Sequence, residues 1–181
     1  MIRLFVALAF PEDHRQQLLR LCQGVRDARW ASDENMHLTL RFIGEVEDPR
    51  VADIVGALTR VKDEPFSLTL SGVGHFQKGR RIRSLWVGIE ACDALVQLQS
   101  SVDTALRHAE LPPDGRRFTP HVTLARLKSG ADQQAGSWIE ANSLFRAEPF
   151  PVDHFVLFES YLSHTGSIYS PVAEIPLGTN D

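Results

Sequence analysis

The sequence carries one pattern twice, and that repetition constrains the fold more than any single motif. His37-Leu38-Thr39-Leu40 and His121-Val122-Thr123-Leu124 stand 84 residues apart. At the same distance, Phe66-Ser67-Leu68-Thr69-Leu70 and Phe150-Pro151-Val152-Asp153-His154 begin two further alternating runs. Upstream, Leu4-Phe5-Val6-Ala7-Leu8 aligns with Leu85-Trp86-Val87-Gly88-Ile89 at an offset of 81. Two copies of so long a unit do not make a solenoid; they point to two related lobes. Each copy reads as strand, helix, His-x-Thr strand, helix, strand, with repeats at about residues 2–76 and 84–160 of one bilobal domain over residues 1–181.

The helices are marked by spacing. Leu18, Leu19 and Cys22 recur on one face of a helix from Pro11 to about Arg26. Leu95, Leu98, Val102 and Leu106 do the same from Asp93 to about His108. Proline followed by Glu12 and Asp13 is a favourable opening, because proline suits the first turn and acids suit its positive end. Second helices are expected at Pro49–Lys62 and Ala131–Asn142. Leu111-Pro112-Pro113-Asp114-Gly115 reads as a turn rather than a domain boundary.

Within each tetrapeptide, period-two alternation puts His and Thr on one face and the apolar pair on the other. With 7 His in 181 residues, two accidental copies with apolar residues at both alternate positions have a chance of only about 0.002. Two imidazoles with two hydroxyls beside them suit acid–base chemistry on an oxyanion. One neutral histidine takes a proton from a nucleophile, and one protonated histidine gives a proton to a leaving oxygen. Thr39 and Thr123 could donate hydrogen bonds to non-bridging phosphate oxygens, where charge develops. Each motif supplies a single metal ligand and no acid, so the scheme calls for no metal and no cofactor. No Gly-x-Ser-x-Gly elbow is present for a serine hydrolase.

Composition limits the classes further. A net charge of −4 argues against sequence-independent duplex binding. Lys78-Gly79-Arg80-Arg81-Ile82-Arg83 is a dense positive run in a turn. It reads either as a solvated loop or as a lip that holds an RNA end or phosphate; Arg116 and Arg117 share that ambiguity. No apolar stretch reaches the ~18–20 residues of a membrane span, and no signal peptide is read at Ile2–Leu8. Cys22 and Cys92 fit small buried thiols of a reducing, cytoplasmic protein. His14 and His108 read as surface or boundary residues of helices, and His75 follows glycines that allow close approach of another backbone.

The same residues resemble the two-histidine phosphoesterase superfamily, specifically the RNA 2′,3′-cyclic phosphodiesterases of the ThpR/LigT type. The resemblance spans nearly the whole chain: Arg3–Leu8, Trp30–Gly44 around the first motif, Arg117–Arg126 around the second, and Phe158-Glu159-Ser160 with Gly166-Ser167-Ile168-Tyr169 near the end. It implies an α+β bilobal, pseudo-two-fold fold, with antiparallel sheets from the two repeats lining a cleft and helices outside. It also implies that His37 is the proton donor to the leaving 3′ oxygen and His121 the proton acceptor. Thr39, Thr123 and Arg126 would hold the phosphate of an RNA end, leaving a 2′-phosphate. Arg126 has the wrong parity to share the face of His121 on a regular strand; a bulge, or a strand ending at Ala125, would resolve this. Phe42 reads either as a base-stacking residue or as core. Alternatives at the same site are small cyclic phosphates, 2′–5′ linkages (including reverse 2′–5′ RNA ligation) and a non-catalytic RNA-end binding module. A monomer acting on RNA ends or nucleotide cyclic phosphates, away from membranes, is the expectation.

Overall fold

The computed structural model describes residues 1–178. In chain order the elements are β1 (Ile2–Ala9), α1 (Glu12–Leu21), β2 (Arg29–Trp30), a 3-10 turn (Asp33–Asn35), β3 (His37–Val46), α2 (Arg50–Leu58), β4 (Phe66–Leu68) and β5 (Leu70–Lys78). There follow β6 (Arg81–Ile89), α3 (Asp93–His108), β7 (His121–Arg126), α4 (Asp132–Asn142), β8 (Phe150–Val152), β9 (His154–Ser163) and β10 (Gly166–Pro176). Two four-stranded antiparallel sheets run β10-β9-β1-β3 and β2-β7-β6-β5, and β4 pairs with β8. This is an α+β fold with two related sheets and peripheral helices.

Burial explains why these segments take these forms. Leu38 and Leu40 of β3, and Val122 and Leu124 of β7, are at most 3% exposed, which leaves the histidine and threonine on the other face. In α3 the expected stripe of Leu95, Leu98, Val102 and Leu106 is fully buried, each side chain stabilising by roughly 1.5–3 kcal/mol. Asp93 opens that helix and Arg107 and His108 close it, charges that complement its dipole. α1 stops at Leu21, five residues before the expected end. The chain turns there through Gly24 at φ +91° and Asp27 at φ 59°, conformations a right-handed helix cannot continue. Among the described residues no helix is long and apolar enough to cross a membrane.

The alternating run that starts at Phe66 breaks after Leu68, and so does its counterpart after Val152. The short pieces β4 and β8 pair with each other, and Ser67 lies opposite Pro151, its own equivalent 84 residues on. The pseudo-two-fold axis therefore passes through this pair. The strands that follow, β5 and β9, cross to the other sheet: β5 pairs with β6, and β9 pairs with β1. Each sheet is thus completed by a strand from the other repeat.

One alignment shifts. Val6 pairs with Arg41, and Leu85 pairs with Ala125, the equivalent of Arg41. β1 and β6 therefore correspond at an offset of 79 rather than 81. An alternating strand slides by two without changing which side chains face the core, so hydrophobic pattern cannot fix this register. Hydrogen bonding to the His-x-Thr strands does.

Candidate active site

His37 and His121 are the first residues of β3 and β7, strands that lie side by side without forming a ladder. Each imidazole is pinned in the same way. His37 Nδ1 is 2.7 Å from the Asn35 carbonyl, and His121 Nδ1 is 2.6 Å from that of Thr119. Asn35 and Thr119 are themselves equivalents, 84 residues apart. A carbonyl only accepts, so Nδ1 carries the hydrogen and donates it. The neutral ring then presents an unprotonated Nε2, and the charged ring presents an Nε2–H. Both forms of a general acid–base pair are available with no change of ring orientation.

Thr39 and Thr123 are half-buried beside the histidines. Beyond them each strand carries one extra residue. Ala7 and Val6 oppose Thr39 and Arg41, leaving Leu40 unpaired, while Trp86 and Leu85 oppose Thr123 and Ala125, leaving Leu124 unpaired. The bulge reverses the alternation, so Arg41 and Ala125 turn inward while Phe42 and Arg126 turn to the histidine face. This gives Arg126 the face that simple alternation denies it. Phe42, 48% exposed, takes the equivalent place in the first lobe and is not part of the core.

Surroundings sequence reasoning missed are mainly aromatic. Phe5 and Tyr169 pack on His37 with ring centroids 4.9 and 5.2 Å away, Tyr169 edge-on at 89°. Phe76 meets His121 edge-on at 4.8 Å, and Trp86 lies at 5.8 Å. Trp86 sits opposite Gly74 in the β5–β6 ladder. A Cβ on Gly74 would fall 2.4 Å from the indole, so the glycine admits a side chain rather than a backbone. His75 takes the other face of β5 and hydrogen-bonds Gln77 at 2.9 Å. His14, read as a surface or boundary residue, is buried at 8% exposure. Its Nε2 meets the Glu148 carbonyl at 2.7 Å, and it packs on Phe150. Its spacing four residues before Leu18 puts it on the inward face of α1, but nothing local marks the partner, which is 134 residues away.

Arg41 is 5% exposed and pairs with Asp103 at 2.8 Å. It also donates to the carbonyls of Phe42, at 2.7 Å, and Pro112. It thereby ties the first motif strand to α3 and to the loop that leads into the second motif. From that loop Arg116 places its guanidinium 5.2 Å from the centre of the Phe42 ring. No sequence signal marked this role, because simple alternation puts Arg41 on the histidine face and only the bulge turns it inward. Among the described residues no group of three or more His, Cys, Asp or Glu is placed to hold a metal. Cys22 and Cys92 are free and half-buried, and burial raises the Cys22 thiol to about 11.

The model of the family described as LigT like Phosphoesterase matches this chain twice in succession, over residues 8–86 and 87–169. The chain belongs to the LigT-like phosphoesterases. A Thermotoga maritima relative named RNA 2′,3′-cyclic phosphodiesterase is 33% identical over 96% of this chain and 94% of its own. A crystal structure from Thermus thermophilus superposes with a TM-score of 0.81 at 26% identity, covering 98% of this chain and all of that one. Escherichia coli LigT complexed with phosphate superposes at 0.76 with 25% identity, covering 98% of each chain.

The electrostatics of this phosphoesterase site favour neutral histidines when no anion is bound. Burial lowers His37 to about 4, against the raising effect of its bond to Asn35, and His121 lowers it further. His121 is also lowered, by burial first and then by Arg126, while its bond to Thr119 opposes the shift.

Proposed function

We propose that this phosphoesterase opens 2′,3′-cyclic phosphate ends of RNA to 2′-phosphate ends by metal-independent acid–base catalysis, with residues 1–178 acting as one bilobal unit. The observation that carries the reading is the matched pair of imidazoles, each held by Nδ1 and each presenting Nε2. The name of the Thermotoga maritima relative supports the substrate class.

In this reading His121 takes a proton from water as its oxygen attacks phosphorus. The bond from phosphorus to the 3′ oxygen breaks, and His37 Nε2–H protonates that oxygen. Thr39, Thr123 and Arg126 hold the non-bridging oxygens, and Phe42 stacks on the terminal base. The division of roles is the one the family resemblance implies, and the position of Arg126 is compatible with it. Its charge acts on His121 and disfavours an imidazolium there, which suits a base. His37 has to be protonated although its free-state value is about 4; the anionic phosphate, bound between the rings, raises it.

The test is incubation of an oligonucleotide ending in a 2′,3′-cyclic phosphate with the protein and EDTA, with identification of the product isomer. Retained turnover and a 2′-phosphate product are expected. His37→Ala and His121→Ala should each reduce kcat by about 10²–10⁴-fold, the usual contribution of a positioned acid or base. A 3′-phosphate product would reverse the assignment of the leaving oxygen, and loss of turnover in EDTA would end the metal-independent scheme.

A further inference from the structure

The two motif walls differ in charge. On the second sheet, Arg29 pairs with Arg126, Arg126 with Ser84, and Ser84 with Phe76, forming one row across β2, β7, β6 and β5. Cross-strand partners share a face, and the Phe76 ring against His121 identifies that face as the histidine's. Two residues beyond Phe76 comes Lys78, opposite Arg81, at the end of the hairpin. Among the described residues none of Arg29, Arg126, Lys78 and Arg81 is ion-paired. Arg81 Nε is buried without a hydrogen-bond partner. The corresponding row of the first sheet is Phe42, Phe5, Phe158 and Pro171, with no cation.

In a chain of net charge −4, four cations without an ion-pair partner on one face make a local patch suited to an anionic ligand. From strand spacing and rise, Arg126 to Lys78 is about 12 Å between Cα atoms, too far for one phosphate. Phe76, 39% exposed, stands between them. Cations in line with an exposed aromatic ring are what binds single-stranded nucleic acid without sequence preference, through backbone charge and base stacking.

We propose that the second sheet beyond His121 is a track for the RNA strand that leads to the reactive end. Lys78 and Arg81 hold phosphates on the 5′ side of it, and Phe76 stacks the base of the preceding nucleotide. This rests on the proposed activity and narrows its substrate to an oligonucleotide end, in preference to a free cyclic mononucleotide.

The test compares kcat/KM for a nucleoside 2′,3′-cyclic monophosphate with that for a trinucleotide ending in the same group. The wild-type protein should prefer the trinucleotide by about tenfold or more. Lys78→Gln/Arg81→Gln should bring that ratio towards one and flatten the salt dependence for the trinucleotide by about 1.4 in log–log slope, at ~0.7 per single-strand phosphate contact. Lys78→Glu alone, at an exposed hairpin end, should lower the ratio too and covers the case of a misfolded double variant. Equal kcat/KM for the two substrates, or a ratio unmoved in the variants, overturns the track. If neither substrate turns over, fluorescence anisotropy of 3′-phosphorylated mono- and trinucleotides decides. Length-dependent binding lost in the variants upholds the track and places the failure on the proposed reaction; binding that ignores length overturns the track.

Discussion

At the residue scale, the histidines couple stability to pH. In the folded chain His37 protonates only near 4, whereas in the unfolded chain an ordinary histidine protonates near 6.5. Between these values the unfolded state binds more protons, so stability is full above about 6.5 and is lost as pH falls towards 4. The contribution is roughly 2–3 kcal/mol. His37→Gln removes the titrating group, so its urea midpoint should fall less steeply between pH 6.5 and 4 than that of the wild-type protein. Parallel slopes in the two proteins would show that the buried imidazole is not the source. The paired placement of the two histidines was legible from their motif, and the resemblance pointed to Arg126, which the bulge puts on their face. Their control by Asn35 and Thr119 was not, because it runs through backbone carbonyls that carry no side-chain signature.

At the element scale, the bulges at Leu40 and Leu124 determine what the site contains. Without them Phe42 and Arg126 would face the core, and Arg41 would enter the site. Alternation made the bulge necessary for Arg126, but no residue type at Leu124 announced it; the extra residue shows only against a partner strand. The close fit of β5 on β6 gives a second handle. In Gly74→Ala the new methyl would meet the indole of Trp86, which packs against both Phe76 and His121. A loss of roughly 1–3 kcal/mol is expected, read as a lower melting temperature, together with reduced kcat as His121 is displaced. Gly72→Ala is the comparison: open space surrounds it, although its φ of +72° adds backbone strain. Its kcat should hold even where its melting temperature falls.

At the scale of the whole molecule, the repeat foretold two lobes, and the helix stripes placed their outer layers. The strand exchange was not foreseeable from the repeat. An alternating strand fits either sheet equally well by hydrophobic pattern, and β5 and β9 are assigned by the connections that reach them. Exchange makes the lobes interdependent. Residues 1–79 alone would lack β9 and β10 beside β1, and would leave β5 with no strand to pair with. Fragments 1–79 and 80–178 should therefore each be unfolded by circular dichroism and regain a cooperative transition only when mixed. Independent folding of either piece would show that the exchange is dispensable.

The pairing of Ser67 with Pro151 has a consequence of its own. A segment that binds its own counterpart about a two-fold axis is the contact of a symmetric dimer, here enclosed in one chain. Covalent connection turns what would be a concentration-dependent encounter into a local one at roughly millimolar effective concentration. It also frees the halves from identity. Two equal copies would have to place either two phenylalanines or two arginines beside the histidines, whereas one chain can place Phe42 on one side and Arg126 on the other.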